Sequence, residues 1–173
     1  MFRHSRQVLA VTGGGFALLW MVSAVAFAGG PTAEDYVAAV GNGAKIVDSG
    51  RLSIDGRVVA CGSRSTVLDE TLDDFAAAYP GFLILNPKLM QPLKTSVKLW
   101  IYSHECAHQF RGPDETVADC FAVQRGRRAG WLTPAGIEDI CNFIQSSKGD
   151  SMHFAGPQRC DQMRQCYGDN KVY

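Results

Sequence analysis

The stretch Ser103–Asp119, SHECAHQFRGPDETVAD, puts two histidines, a cysteine and the acids Glu105, Asp114, Glu115 and Asp119 into one short run. On a helix, His104 and His108 form an i, i+4 pair, so both imidazoles leave the same face at neighbouring heights and can grip one metal ion. Glu105 sits beside the first of them, where a carboxylate can take a proton from metal-activated water. This is the physical content of H-E-x-x-H, and HECAH satisfies it.

A catalytic Zn2+ takes three protein ligands and keeps one position open. In the layout H-E-x-x-H-x-x-G-x-x-H the third ligand falls at Asp114, but that layout wants glycine where Arg111 stands. Glu115 is the favoured third ligand. It forms an i, i+4 pair with Asp119 on a following helix, and Asp119 is placed to accept the spare N–H of a ligating histidine. Asp114 and Asp119 remain alternative ligands.

Outward from the motif, Ser96 is a candidate cap for a helix VKLWIYSHECAHQF. Val97, Trp100, Ile101, His104 and His108 share one face, and Leu99, Tyr102, Cys106 and Phe110 share another. Apolar character on two faces marks a central helix, with Trp100, Trp131, Tyr102 and the phenylalanines as core. RGPD breaks that helix, and ETVADCFAVQRGRRA follows as a second, with Arg125–Arg128 as a solvated end complementing the helix dipole. Thr133-Pro134 opens a third helix, and Gly156-Pro157 opens a last one.

Upstream, Thr32 and Asp35 suggest a capping box for EDYVAAV. KIVDSGRLSIDGRVVACG has the Ser-Gly and Asp-Gly signals of a hairpin or meander. Asp69 suggests a cap for a helix ETLDDFAAAY ended by Pro80-Gly81, and FLILNP is a compact strand stopped by Asn86-Pro87. The expected fold is α+β: a small antiparallel sheet with an edge strand, then a packed helical half carrying the motif helix.

Residues 1–28 are expected to be a secretory signal peptide. Arg3 and Arg6 precede an apolar run ending in Ala26-Phe27-Ala28, which leaves residues 29–173 as a single domain. The alternative is an uncleaved membrane anchor. The six cysteines all lie beyond residue 28, and an even count in an exported, periplasmic or secreted chain suggests disulfides. Cys160 and Cys166, six residues apart on one helix, are separated by about 9 Å along its axis, too far to bridge each other. Cys106 points away from the histidine face and is expected in a disulfide or the core. With 17 basic and 17 acidic residues, the chain shows no electrostatic footprint for nucleic acid.

HECAH followed by ETVAD resembles the gluzincin metallopeptidases, whose second element has the form E-x-x-x-D, often with alanine before the aspartate, as in Ala118-Asp119. GFLILNP is similar to that family's edge strand, which lies along an extended peptide substrate. The resemblance covers roughly residues 80–130. It implies zinc held by His104, His108 and Glu115, Glu105 as general base, Asp119 behind a ligand, and a peptide or protein substrate. A weaker echo, MHFAGPQR, makes His153 and Arg159 candidates to stabilise the transition state. The rival expectation is a non-catalytic exported module with a structural or partner-binding role. The six-residue link QFRGPD between His108 and Glu115 favours it, because it leaves little material for a substrate cleft.

Overall fold

The computed structural model describes residues 30–169; the expected signal peptide lies outside the described residues. Helix α1 (Ala33–Val40) opens on the expected capping box at Thr32 and Asp35. Strands β1 (Lys45–Val47), β2 (Leu52–Ile54), β3 (Arg57–Val59), β4 (Ser65–Leu68), β5 (Ala76–Tyr79) and β6 (Phe82–Leu85) follow. The helical half comprises α2 (Pro87–Met90), α3 (Thr95–Arg111), α4 (Glu115–Arg128), α5 (Pro134–Ile144) and α6 (Gly156–Gly168). Among the described residues the fold is α+β, with small, mostly antiparallel sheets and six helices.

The β2–β3 hairpin turns on Asp55-Gly56, both at positive φ, as an Asp-Gly turn requires. β1 does not continue it as a meander. It pairs instead with β4 in a four-stranded sheet of order β1-β4-β6-β5, in which β4 and β6 run parallel.

FLIL is therefore an inner strand, not the edge. All four residues are buried because the sheet is covered on both sides. Phe82 and Ile84 pack with Val67 and α1 on one face, while Leu83 and Leu85 join the larger core built on α3, α4, α5 and α6. The edges are β1 and β5, and β5 lies against α3.

The expected helix ETLDDFAAAY is also overturned. Asp69 accepts the Thr71 N–H at 2.8 Å, the Thr71 hydroxyl at 2.7 Å and the Tyr36 hydroxyl at 2.7 Å, which makes a tight turn rather than a helix cap. The carbonyls of Glu70 and Leu72 receive the Asn86 side-chain amide. The alanine run then pairs with β6, and Pro80-Gly81 becomes the hairpin turn, with Gly81 at φ +97°.

α3 is the central helix, buried at Val97, Leu99–His104, Cys106 and Ala107, although Phe110 is exposed. Ser96 does not cap it. The Ser96 hydroxyl donates to Asp139, and Lys94 occupies the cap position. α4 packs along α3 after the break at Gly112-Pro113. Its basic end is not simply solvated: Arg125 donates to the Ala60 carbonyl and Arg127 to the carbonyls of Tyr167 and Asp169.

Three disulfides tie these pieces together: Cys61–Cys106, Cys120–Cys166 and Cys141–Cys160, with Cα separations of 5.5, 5.2 and 5.3 Å. Cys160 and Cys166 each reach a different helix, as their spacing requires. The start of α6 is drawn so close to the end of α5 that a Cβ on Gly156 would meet the Ile144 carbonyl oxygen at 1.8 Å. That approach carries the 145–155 loop back over the motif helix.

Candidate metal centre

One turn of α3 separates His104 from His108, and their Nε2 atoms stand 3.1 Å apart. Each ring is oriented by an acceptor at its other nitrogen. His104 Nδ1 meets Asp119 Oδ1 at 2.9 Å, and His108 Nδ1 meets the Gly112 carbonyl at 2.9 Å. Carbonyl and carboxylate oxygens only accept, so Nδ1 carries a proton in both rings and Nε2 is the nitrogen each turns toward the shared point.

Glu115, the first residue of α4, aims its carboxylate at the same point. Its Oε2 is 2.9 Å from His104 Nε2, and its Oε1 is 3.5 Å from His108 Nε2. Asp114, the competing ligand by sequence, is occupied elsewhere: it caps α4 by accepting the Val117 N–H at 2.9 Å. Asp119, one turn further along α4, is buried behind His104.

His153 arrives from the loop before α6. Its Nε2 lies 3.0 Å from Glu115 Oε2, while its Nδ1 faces both oxygens of Asp150 at 3.2 Å. His104, Glu115 and His153 offer donor atoms that all lie within 4.8 Å of one another and could hold a metal ion. His108 adds a fourth donor beside His104.

The chemistry of this set fits a cation. Glu115 Oε2 is buried and has no well-formed hydrogen bond, although two imidazole nitrogens stand about it at 2.9 and 3.0 Å. Close contact without donor geometry is the arrangement of ligands around a shared positive charge.

The electrostatics agree with that. Burial works against a charge on His104, yet Asp119 and Glu115 outweigh it and raise its pKa to about 9. Burial alone would raise Glu115, but His104 and His108 hold it well below the usual carboxylate range. Glu105 is pushed up, by burial first, with Glu115 and Asp74 adding to the effect and the two motif histidines opposing it. Glu105 makes no hydrogen bond or ion pair among the described residues, so its carboxylate is uncommitted.

Arg159, expected near the transition state, directs two donors to Asp119: Nε to Oδ2 at 2.8 Å and Nη2 to Oδ1 at 2.9 Å. Its guanidinium also lies over Trp100, 5.4 Å from the ring centroid, and Trp100 in turn lies against His104. Arg159 therefore acts on His104 through Asp119.

The centre opens into a cleft of about 710 Å³ bounded by β5, the Pro80-Gly81 turn, Arg64, Glu105 and the ligand side chains. A second cavity of about 390 Å³, walled by Phe75, Trp100, Ile101 and Phe143, shares Asp74, Ala76, His104, Glu105 and His153 with it. The short link 109–114 contributes Gln109, Gly112 and Pro113 to the cleft, and β5, the Pro80-Gly81 turn and Arg64 widen its wall. Two orienting groups leave little mark in the sequence. The Gly112 carbonyl carries no side-chain signal, while Asp150 leaves a faint one, an acid three residues before His153 that also accepts the backbone N–H groups of Met152 and His153.

Compared with protein-family models, with curated proteins and with solved structures, the chain gives no significant match.

Proposed function

We propose that the protein is an exported zinc-dependent hydrolase that cleaves peptide bonds, of the gluzincin type that HECAH and ETVAD resemble. One observation carries this reading: imidazole Nε2 atoms and the Glu115 carboxylate converge beside an uncommitted Glu105 at the floor of an open cleft. The three disulfides fit an oxidising compartment, and among the described residues no helix is long and apolar enough to cross a membrane.

A divalent cation held by these residues supplies Lewis acidity toward a substrate carbonyl and acidifies water. Glu105 takes the water's proton and returns it to the leaving amine, a role helped by the burial that raises its pKa. Asp119 keeps His104 in the tautomer that presents Nε2, and Arg159 keeps Asp119 in place. The exposed edge of β5 borders the cleft and suits an extended peptide.

A second reading rests on His153. If His104, His108, Glu115 and His153 all bind at once, the coordination shell is closed, and the protein is a non-catalytic exported module with a structural metal. Metal content per chain and hydrolysis of a peptide library, measured on the wild type beside H104A, H108A, E115A and H153A, separate the two. The hydrolase reading expects about one zinc per wild-type chain. It expects loss of that zinc in H104A and E115A, and turnover of some peptide by the wild type. Zinc that survives only with all four ligands intact, with no peptide cleaved, selects the structural module.

A further inference from the structure

Among the described residues, Arg64 is the one Lys or Arg side chain on the wall of the cleft, whose other charged residues besides histidines are Asp74, Glu105 and Glu115. Its own hydrogen bonding is incomplete. Nε is buried and has no partner, and Nη1 has only the Ser63 hydroxyl at 3.5 Å, the outer limit of a hydrogen bond. Three other guanidinium groups have firmer internal partners: Arg159 in Asp119, Arg164 in Glu138 and Asp161, and Arg125 in the Ala60 carbonyl. A guanidinium presents a fixed fork of donors matched to a carboxylate, and Arg64 pairs with none among the described residues.

The position is also built rather than incidental. Arg64 N donates to the Cys61 carbonyl at 2.9 Å and the two residues form an isolated β-bridge. Cys61 is bonded to Cys106, the neighbour of Glu105. The Ser49 hydroxyl holds the Gly62 carbonyl at 2.6 Å, and Gly62 sits so close to Phe110 that a Cβ there would meet the ring at 2.9 Å. The Phe110 ring carries the Arg64 guanidinium at 5.4 Å from its centroid. A loop fixed at three points thus holds a cation with an unmet donor and no carboxylate partner on the wall of the cleft, before any ligand arrives.

We infer that Arg64 is a specificity residue that binds a carboxylate of the peptide occupying the cleft, so that the substrates are peptides with an acidic group close to the scissile bond. This deepens the hydrolase reading and rests on it for the word substrate, but the carboxylate site itself needs no metal. The carboxylate has two sources, the peptide C-terminus or an Asp or Glu side chain. Both supply the same planar pair of acceptors.

Three blocked peptides serve as probes: acetyl-Ala-Ala-Ala with a free C-terminus, the same peptide as its amide, and acetyl-Ala-Asp-Ala amide. Affinity for the full-length purified protein is measured by calorimetry, with metal content determined on each sample. At least one acidic probe should bind about tenfold or more tighter than the neutral amide. R64Q should erase that preference, R64K should retain part of it, and the stronger acidic probe identifies the source. Should R64Q fold poorly, the Arg64 Nε–H resonance of wild-type protein provides the same test, moving with the acidic probe and staying still with the amide. Equal affinity for all three probes overturns the inference. So does a preference unchanged in R64Q, which would place the carboxylate on the metal and leave the hydrolase reading intact. An Arg64-dependent preference in protein that takes up no zinc would sustain the inference while removing the hydrolase reading.

Discussion

Arg159, on α6, grips both carboxylate oxygens of Asp119, on α4, at 2.8 and 2.9 Å, and the same Asp119 holds His104 Nδ1 at 2.9 Å. An ion pair this buried gives little net stability when intact but is costly to break from one side, because the remaining charge is stranded. R159M should therefore destabilise the fold by about 3–5 kcal/mol in urea titration. It should also weaken metal binding by about 10–100-fold, because Asp119, which orients His104, loses its support. A variant of unchanged metal affinity would show that Asp119 needs no support.

Asp114 and Glu115 are neighbours with different duties, and paired variants separate them. D114A removes the cap of α4 and should cost about 1 kcal/mol of stability with the metal retained. E115A should lose the metal. Metal loss in D114A, with Glu115 intact, would mean that the ligand and the cap had been assigned the wrong way round.

E105Q tests the base directly. It keeps the shape of the side chain, and the Glu105 carboxylate has no hydrogen bond or ion pair among the described residues, so folding and metal content should be unchanged. Turnover of any cleaved peptide should fall by about a hundredfold or more. Full activity in E105Q would exclude Glu105 from proton transfer.

Tyr36 and Asp69 provide a pH test away from the metal centre. Burial would raise the Asp69 pKa, but the bonds from Thr71 and Tyr36 prevail and lower it below 3.8. A carboxylate with a lowered folded pKa contributes stability that is present above its unfolded value and is lost as pH falls through the folded one. Tyr36 is pushed up to about 12, by burial first and then by Asp69, so its contribution is present below pH 10 and fades as pH rises through about 12. Y36F should be less stable than wild type by about 1–2 kcal/mol at neutral pH. The gap should narrow below pH 4 and again above pH 10, as followed by chemical denaturation. A gap constant across the whole range would mean that the bond contributes nothing beyond packing.

How much of this was legible in the sequence depended on how local the cause was. Helix α1, the Asp55-Gly56 hairpin and α5 announce themselves because cap and turn residues act over three or four positions. HECAH and ETVAD were legible for the same reason, since i, i+4 spacing fixes which side chains share a face. Ala76–Tyr79 was not: alanine favours helix, and only pairing with β6 makes it a strand. Parallel pairing with the distant β4, beside the β5 hairpin, likewise makes FLIL an interior strand rather than an edge. His153 could be noticed but not placed, because its nearness to Glu115 depends on how α6 docks on α5 at Gly156. Arg64 carried no signal, since a lone arginine in a turn is distinguished only by the cleft it faces.

The three disulfides also settle which cuts in the backbone the protein can survive. A peptide bond broken between Cys61 and Cys106 leaves two fragments joined by that pair, and one broken between Cys120 and Cys166 leaves them joined by the second, with Cys141–Cys160 nested inside as a spare. Within residues 61–166 only the stretch from Cys106 to Cys120 is unspanned, and there His104 stands on one side of the Gly112-Pro113 turn and Glu115 on the other. A metal ion shared by those two side chains would be a non-covalent rivet across the one gap that sulfur leaves. Loading the site would then turn a chain that a protease can part at that turn into one that stays whole after being nicked.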